Sequence, residues 1–310
     1  MSTDTRTITV GIDGSRSSLD AADWAAREAQ RRRLPLRLLH AGTEPAVPGG
    51  VFDIDDIDDI DVPAGRTRAA LDRAAIELSY AHPALDIIAR RTATPAVPAL
   101  LAAAVEAETL VLGSRGRTGS AGFPVGSVAL GVAARADRPV VLVRAGELPE
   151  DERVPVVDGS PPSTAPYLPV VLGLDPDASA DDLIGYAFDT AAVRSAPLHV
   201  VHPWTLPTST LRPWRHRYPG TTVREHRVDG DPGPRLLEAS ARAGLLVVGR
   251  RAGRGPGRAA RGGGGRGGGG GSPPATRGGG KLTPWPRSAG GAVARSSGAT
   301  PPATGTPVGR

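Results

Sequence analysis

The sequence predicts an α/β chain built on a doubly wound parallel five-stranded sheet, present once in full and repeated in a smaller, incomplete second copy. Three observations carry this. Short apolar runs alternate with helical periods through residues 1–145, the same pattern restarts near 169, and it stops near 251, where the composition changes. Strands apolar on both faces and alternating with helices imply a parallel sheet covered on each side.

Residues 7–12 form an apolar run ending at Asp13-Gly14 and read as a buried strand. Ser17 with Asp20 three residues on offers a capping box, and Leu19, Ala22, Ala26 and Ala29 follow at helical spacing, so a helix should run to about Arg33. A strand over 36–41 is followed by a helix over 66–80 with Leu71, Ala75 and Leu78 on one face. Then come a strand at 85–89, a helix at 96–106, a strand at 109–112, a helix at 127–136 and a last strand at 139–143. Residues 146–168 are Pro-rich and polar, a linker.

The second copy spans 169–251. VVLGLD at 170–175 echoes ITVGID at 8–13, APLHVVHPW at 196–204 echoes LPLRLLHAG at 34–42, and GLLVVGR echoes ETLVLGS. After Arg251 no apolar period survives, and twenty of the 41 glycines lie in 253–310. That segment, 252–310, cannot bury enough surface to offset its ordering entropy and is expected to be disordered. A repeat cut in mid-motif is explained by a shifted reading frame.

The net charge of +5 conceals two opposite parts. Residues 250–310 hold ten arginines, one lysine and no acid, whereas residues 1–249 hold 26 basic against 32 acidic side chains. A nucleic-acid footprint across the whole chain is therefore not expected. The absence of cysteine excludes disulfides and thiolate metal sites. No window has the length and apolarity of a membrane span, and the N-terminus lacks an apolar signal core, so a cytoplasmic location is expected.

The chemistry concentrates in VLGSRGRTGSAGFPVGS at 111–127: Gly113, two residues, Gly116, nine residues, then Gly126-Ser127. In a doubly wound sheet, ligands sit beyond the carboxyl ends of the strands where the winding reverses, here between the first and fourth strands. The loop after the first strand supplies the Asp13 carboxylate, suited to sugar hydroxyls or an exocyclic amine. The loop after the fourth supplies glycines, backbone N–H groups and a helix opening at Gly126-Ser127, an anion cradle to which Arg115 and Arg117 add charge. Together they suit a nucleotide. Neither GxxxxGK[ST] nor a G-x-G-x-x-G after the first strand is present.

These residues resemble the ATP-binding branch of the universal stress proteins: G-x2-G-x9-G-[ST] after the fourth strand, V-G-[IV]-D-G-S in the first, and RPVVLV in the last. The arrangement resembles tandem two-domain members. The resemblance implies that Gly11 and Asp13 face the adenosine end and Ala41 lies by the base. Gly113, Gly116, Gly126 and Ser127 would hold the phosphates, with Ser114, Arg115, Arg117 and Val128 completing the set. ATP, with or without Mg, is the implied ligand, and a homodimer through the edge at 139–143 the implied assembly. The second copy departs from the pattern: Asp175 and Gly249 match Asp13 and Gly113, but Ala252 stands where the next glycine belongs and no Gly-Ser helix start follows. Leu245–Val248 is then expected to lie exposed and to seed aggregation.

The expected function is an ATP-binding regulatory protein of the stress-response type, with no catalytic residue assigned and at most slow hydrolysis. The alternatives are a nucleotide-free interaction module and an adenylyl-transferring enzyme, the latter lacking H-x-G-H and S-G-G-x-D-S signatures. FDIDDIDDID at 52–61 lacks the EF-hand glycine and terminal glutamate and reads as a solvated loop. His40, His82, His199, His202, His216 and His226 show no metal spacing, Trp204 and Trp214 read as packing residues, and the Arg/Gly tail has Trp285 as its one aromatic.

Overall fold

A computed structural model describes residues 6–42, 64–114, 125–156, 161–175, 181–207, 209–230, 232–250 and 291–294, with backbone alone at 64–68 and 291–294. The first copy runs β1 (Thr7–Gly11), α1 (Arg16–Arg32), β2 (Leu36–Ala41), α2 (Ala64–Ala81), β3 (Ile87–Thr92), α3 (Ala96–Glu106), β4 (Ala107–Ser114), α4 (Ser127–Ala133) and β5 (Val140–Arg144). The second runs β6 (Val170–Gly173), α5 (Asp181–Arg194), β7 (Leu198–Pro203), α6 (Arg212–Arg217), β8 (Val223–Val228), α7 (Gly233–Ser240) and β9 (Leu245–Gly249). A last strand, β10 (Gly291–Ala294), follows far downstream.

The first sheet has the order β3-β2-β1-β4-β5 and is parallel throughout, as expected for a doubly wound sheet. The second, β9-β6-β7-β8, is also parallel and repeats β4-β1-β2-β3 of the first, without a counterpart of β5 among the described residues. Ile8 pairs with Leu36 and Val170 with Leu198, the same step 162 residues on. Both faces of these strands are covered, so their positions are filled by β-branched and leucine side chains: Ile8, Val10, Leu36, Leu38, Val170, Leu172, Leu198 and Val200 are all buried.

α1 begins two residues earlier than the Ser17 cap predicts. Ser15 is the N-cap, its hydroxyl accepting from the Ser18 N–H, and Asp20 instead pairs with Arg16 and accepts from the Gly146 N–H. The helix is buried on more than one stripe. Ala22, Ala26 and Ala29 face inward as the period predicts, and Trp24, Ala25 and Glu28 are fully buried as well. The reason is that α5 of the second copy packs against α1.

That contact is charged. The Glu28 carboxylate accepts from Arg194 Nη2 at 2.7 Å, Arg32 Nε at 2.6 Å and Arg31 Nε at 3.1 Å. Arg32 continues to Asp189 at 2.5 Å and to the Thr190 hydroxyl at 3.0 Å. Burial alone would raise the Glu28 carboxyl, but the Arg194, Arg32 and Arg31 guanidinium groups together hold it far below the usual range. Arg32 and Arg194 are equivalent residues of the repeat, and each lies over the aromatic ring that its counterpart's helix presents, Tyr186 and Trp24, at 5.7 and 5.6 Å. The two copies thus meet about an approximate dyad.

Two expectations change. The sequence offers 139–143 as a free sheet edge, but β5 is flanked by β4 on one side and β10 on the other, so the edge on which the homodimer rested is occupied. Likewise β9 lies between β6 and β10, with Leu245 and Val247 buried rather than exposed. The strand that covers both comes from the segment expected to be disordered; residues 251–290 and 295–310 lie outside the described residues. Among the described residues no helix is long and apolar enough to cross a membrane.

Candidate functional site

The reversal of winding falls between β1 and β4, and a cavity of about 260 Å³ opens at their carboxyl ends. Its floor is apolar: Ile12, Leu39, Ala41, Leu100 and Leu112, from the ends of β1, β2 and β4 and from α3. Its rim is polar: Asp13, Ser15, Ser17 and Ser18 on the α1 side, and Gly126 and Ser127 on the α4 side. An apolar slot with a hydroxyl- and carboxylate-bearing rim accepts a flat ring below and a polyhydroxylated or charged group above.

Of the residues expected from the sequence, Gly11, Asp13, Ala41, Gly113, Gly126, Ser127 and Val128 line this one cavity. Ser114 does not. It is buried, and its hydroxyl donates to the Val143 carbonyl at 3.2 Å, tying β4 to β5. Arg115, Gly116 and Arg117 lie outside the described residues, as does the acidic stretch 52–61. Ser15, Ser18, Ala96, Leu100 and Leu112 line the cavity without being expected there. The Asp-Gly-Ser run after β1 is the available signal for Ser15, whereas nothing local marks Leu100 as a floor residue.

Asp13 stands at the mouth of the cavity. Its Oδ1 accepts from the Ser15 N–H at 2.9 Å and the Ser15 hydroxyl at 2.6 Å. Burial against the wall pulls its carboxyl upward, but the Ser15 hydrogen bonds outweigh this and hold it below the ordinary carboxylate range. Asp13 is thus ionised and preoriented, with both Ser15 bonds falling on Oδ1. Behind it, His40 Nδ1 sits 2.8 Å from the Ile12 carbonyl and pins the ends of β1 and β2 together.

The glycines divide into two kinds. A Cβ on Gly113 would lie 2.4 Å from the Ser17 carbonyl oxygen and 2.8 Å from the Ser18 nitrogen. Gly113 is therefore required by the close approach of β4 to the first turn of α1, a reason different from the phosphate contact the motif implies. A Cβ on Gly126 would meet nothing within 4 Å, and its φ of −56° suits any residue. That glycine leaves open space on the cavity rim. The helix that follows has two turns, shorter than the predicted 127–136.

Among the described residues no group of three or more His, Cys, Asp or Glu side chains could hold a metal ion. His199 and His226 lie ring to ring at 5.4 Å; burial first, then His226, lowers the His199 pKa.

Residues 4–144 match the model of the universal stress protein family. Universal stress protein Rv2005c of Mycobacterium tuberculosis is 30% identical over 273 residues, covering 78% of this chain and 86% of that one. Universal stress protein Rv1996 of the same organism is 28% identical over 282 residues, covering 78% and 84%. Among solved structures, a universal stress protein from Archaeoglobus fulgidus DSM 4304 is similar over 76% of this chain and 82% of that one, at 15% identity and a TM-score of 0.48. A universal stress protein crystallised in complex with cAMP is 29% identical over 46% of this chain and 98% of its own, with a TM-score of 0.34.

Proposed function

The chain belongs to the universal stress protein family, and from that premise we propose that its first copy binds an adenine nucleotide, ATP, as the ligand of a stress-response regulatory protein. The observation that carries this reading is the division of the cavity between an apolar floor and a rim bearing Asp13, Ser15, Ser17, Ser127 and the open edge at Gly126. A purine ring fits the slot bounded by Ala41, Leu39 and Leu112. A ribose fits against the ionised Asp13, whose carboxylate accepts from sugar hydroxyls. The polyphosphate would leave the cavity past Gly126 and Ser127.

The residues present fit the nucleoside end of the ligand and the start of a phosphate path. Among the described residues at the cavity, Asp13 is engaged by Ser15 and His40 is turned to the backbone, so neither stands as a general base against that path. Binding that shifts conformation or partner choice, with slow turnover at most, is the role this arrangement supports.

Calorimetric titration of the full chain with ATP tests the reading, with one site per chain expected. Extracting the small molecules that co-purify with the protein separates the alternatives. Retained ATP supports the proposal, production of AMP and pyrophosphate points to adenylyl transfer, and a protein that is empty and does not take up ATP overturns it.

A further inference from the structure

β10 has an unusual setting. Ala292, Val293 and Ala294 each have a register partner on both sides: Val140, Val141 and Leu142 of β5 in parallel, and Val248, Val247 and Leu246 of β9 in antiparallel. One four-residue strand therefore closes a slot between two sheets that otherwise do not touch along their edges. Strands lie about 4.8 Å apart, so β5 and β9 stand about two strand spacings from each other, room for one extended segment.

The walls of this slot are held by contacts in which β10 takes no part. Arg32 with Asp189, Arg194 with Glu28, and Arg250 Nη1 donating to the Ala134 carbonyl at 2.5 Å all bridge the two copies. With the walls fixed, the edge of another sheet cannot enter, because it would bring its own neighbouring strand. Only a lone extended chain fits. The occupant's sequence, Gly-Ala-Val-Ala, shows how little bulk the position takes.

The connection from Gly249 to Gly291 is long. Gly291 pairs with Gly249, and residues 250–290 lie between them in sequence. A flexible connection of such a length would set an effective concentration on the order of millimolar for the in-chain strand, against which the same segment of a second copy competes.

We propose that the gap between β5 and β9 is a strand-acceptor slot, filled by residues 291–294 of the same chain and able to take the same C-terminal segment from a second copy. Main-chain hydrogen bonds to both walls supply the attraction, as in other cases of strand addition to a sheet edge. Exchange of β10 between chains then links two molecules without freeing either sheet edge.

The test uses the full-length Val293→Pro variant, in which the in-chain strand loses a ladder donor, and a fluorescent synthetic peptide of residues 288–296. The peptide should bind the variant at least tenfold more tightly than it binds the unmodified chain, where the tethered strand competes. A peptide carrying the same proline should not bind. Circular dichroism and thermal unfolding establish that the variant is folded; if it is not, Ala294→Pro at the last position of the strand takes its place. A folded variant that ignores the peptide overturns the proposal. So does equal affinity for the variant and the unmodified chain.

Discussion

The first and second copies share a floor and differ in their rim. Gly11 and Gly173 are equivalent, and a Cβ on either would press on the same pair of neighbours: Leu112 and Leu100 in the first copy, Val248 and Leu236 in the second. Gly113 and Gly249 are equivalent too; among the described residues a Cβ on Gly249 would meet the end of the Leu183 side chain, at 3.2 Å, and the positions equivalent to Ser17 and Ser18 lie outside the described residues. Ala41 becomes Pro203, Ser114 becomes Arg250, and the rim residues of α4 have no counterpart among the described residues of the second copy. Where strand must pack on helix, the small residue persists in both copies. Among the cavity residues Asp13 persists as Asp175, whereas Ala41 and the Gly126-Ser127 edge do not persist among the described residues. The comparison separates glycines that shape the fold from Gly126, which leaves open space on the cavity rim.

The largest effect should come from the seam between the copies. Glu28→Ala strands Arg194 and Arg32 without their buried carboxylate and should cost about 3–5 kcal/mol of stability, read by chemical denaturation. The same carboxyl sets a pH response. Its pKa is lower folded than unfolded, so its contribution is complete above the ordinary glutamate range and is lost as pH falls through that range toward the folded value. Stability should fall on acidification in the parent, and fall less in Glu28→Gln.

Next in size is Gly113→Ala, which drives a methyl into the α1 backbone and should cost roughly 1–3 kcal/mol, read by chemical denaturation. A loss no larger than that of an ordinary surface substitution would remove the close approach as the reason for this glycine.

Gly126→Val should leave stability within about 0.5 kcal/mol and lower ATP affinity at least tenfold, measured by calorimetry; unchanged affinity would remove Gly126 from the ligand's path. The smallest change is expected for Asp13→Asn. It keeps an acceptor for Ser15 but loses the charge, so affinity should drop severalfold with no shift in the unfolding midpoint. In the parent, affinity should be level from neutral pH down to about 5, since Asp13 remains ionised below the ordinary carboxylate range near 3.9.

Much of this is legible in the chain. Continuous apolar runs and period-three-to-four patterns place every strand and helix of the first copy, because both faces of its sheet are covered and its helices carry clear inward stripes. Ends are less secure. The strand predicted at 85–89 forms at Ile87–Thr92, since pairing of Leu36 with Ile87, a tertiary fact, sets its start. Glu28 and its arginines, in AREAQRRR, look like a solvated helix face until a second helix is laid across them. β10 is illegible because a four-residue strand amid glycines has no local signal; its partners lie about 45 and 150 residues away in sequence.

The approximate dyad has a bearing on how such a chain came to be one chain. In a pairing of like with like, Arg32 of each copy would face Arg27 of the other, and each Glu28 would be shared among the arginines of both helices. Here the residues equivalent to Arg27 and Glu28 are Asp189 and Thr190, so each copy presents what the other lacks. Once that divergence is in place, neither half can return to pairing with its own kind without stranding buried charge. The second copy thereby supplies the counter-ions of the first, Arg194 to Glu28 and Asp189 to Arg32.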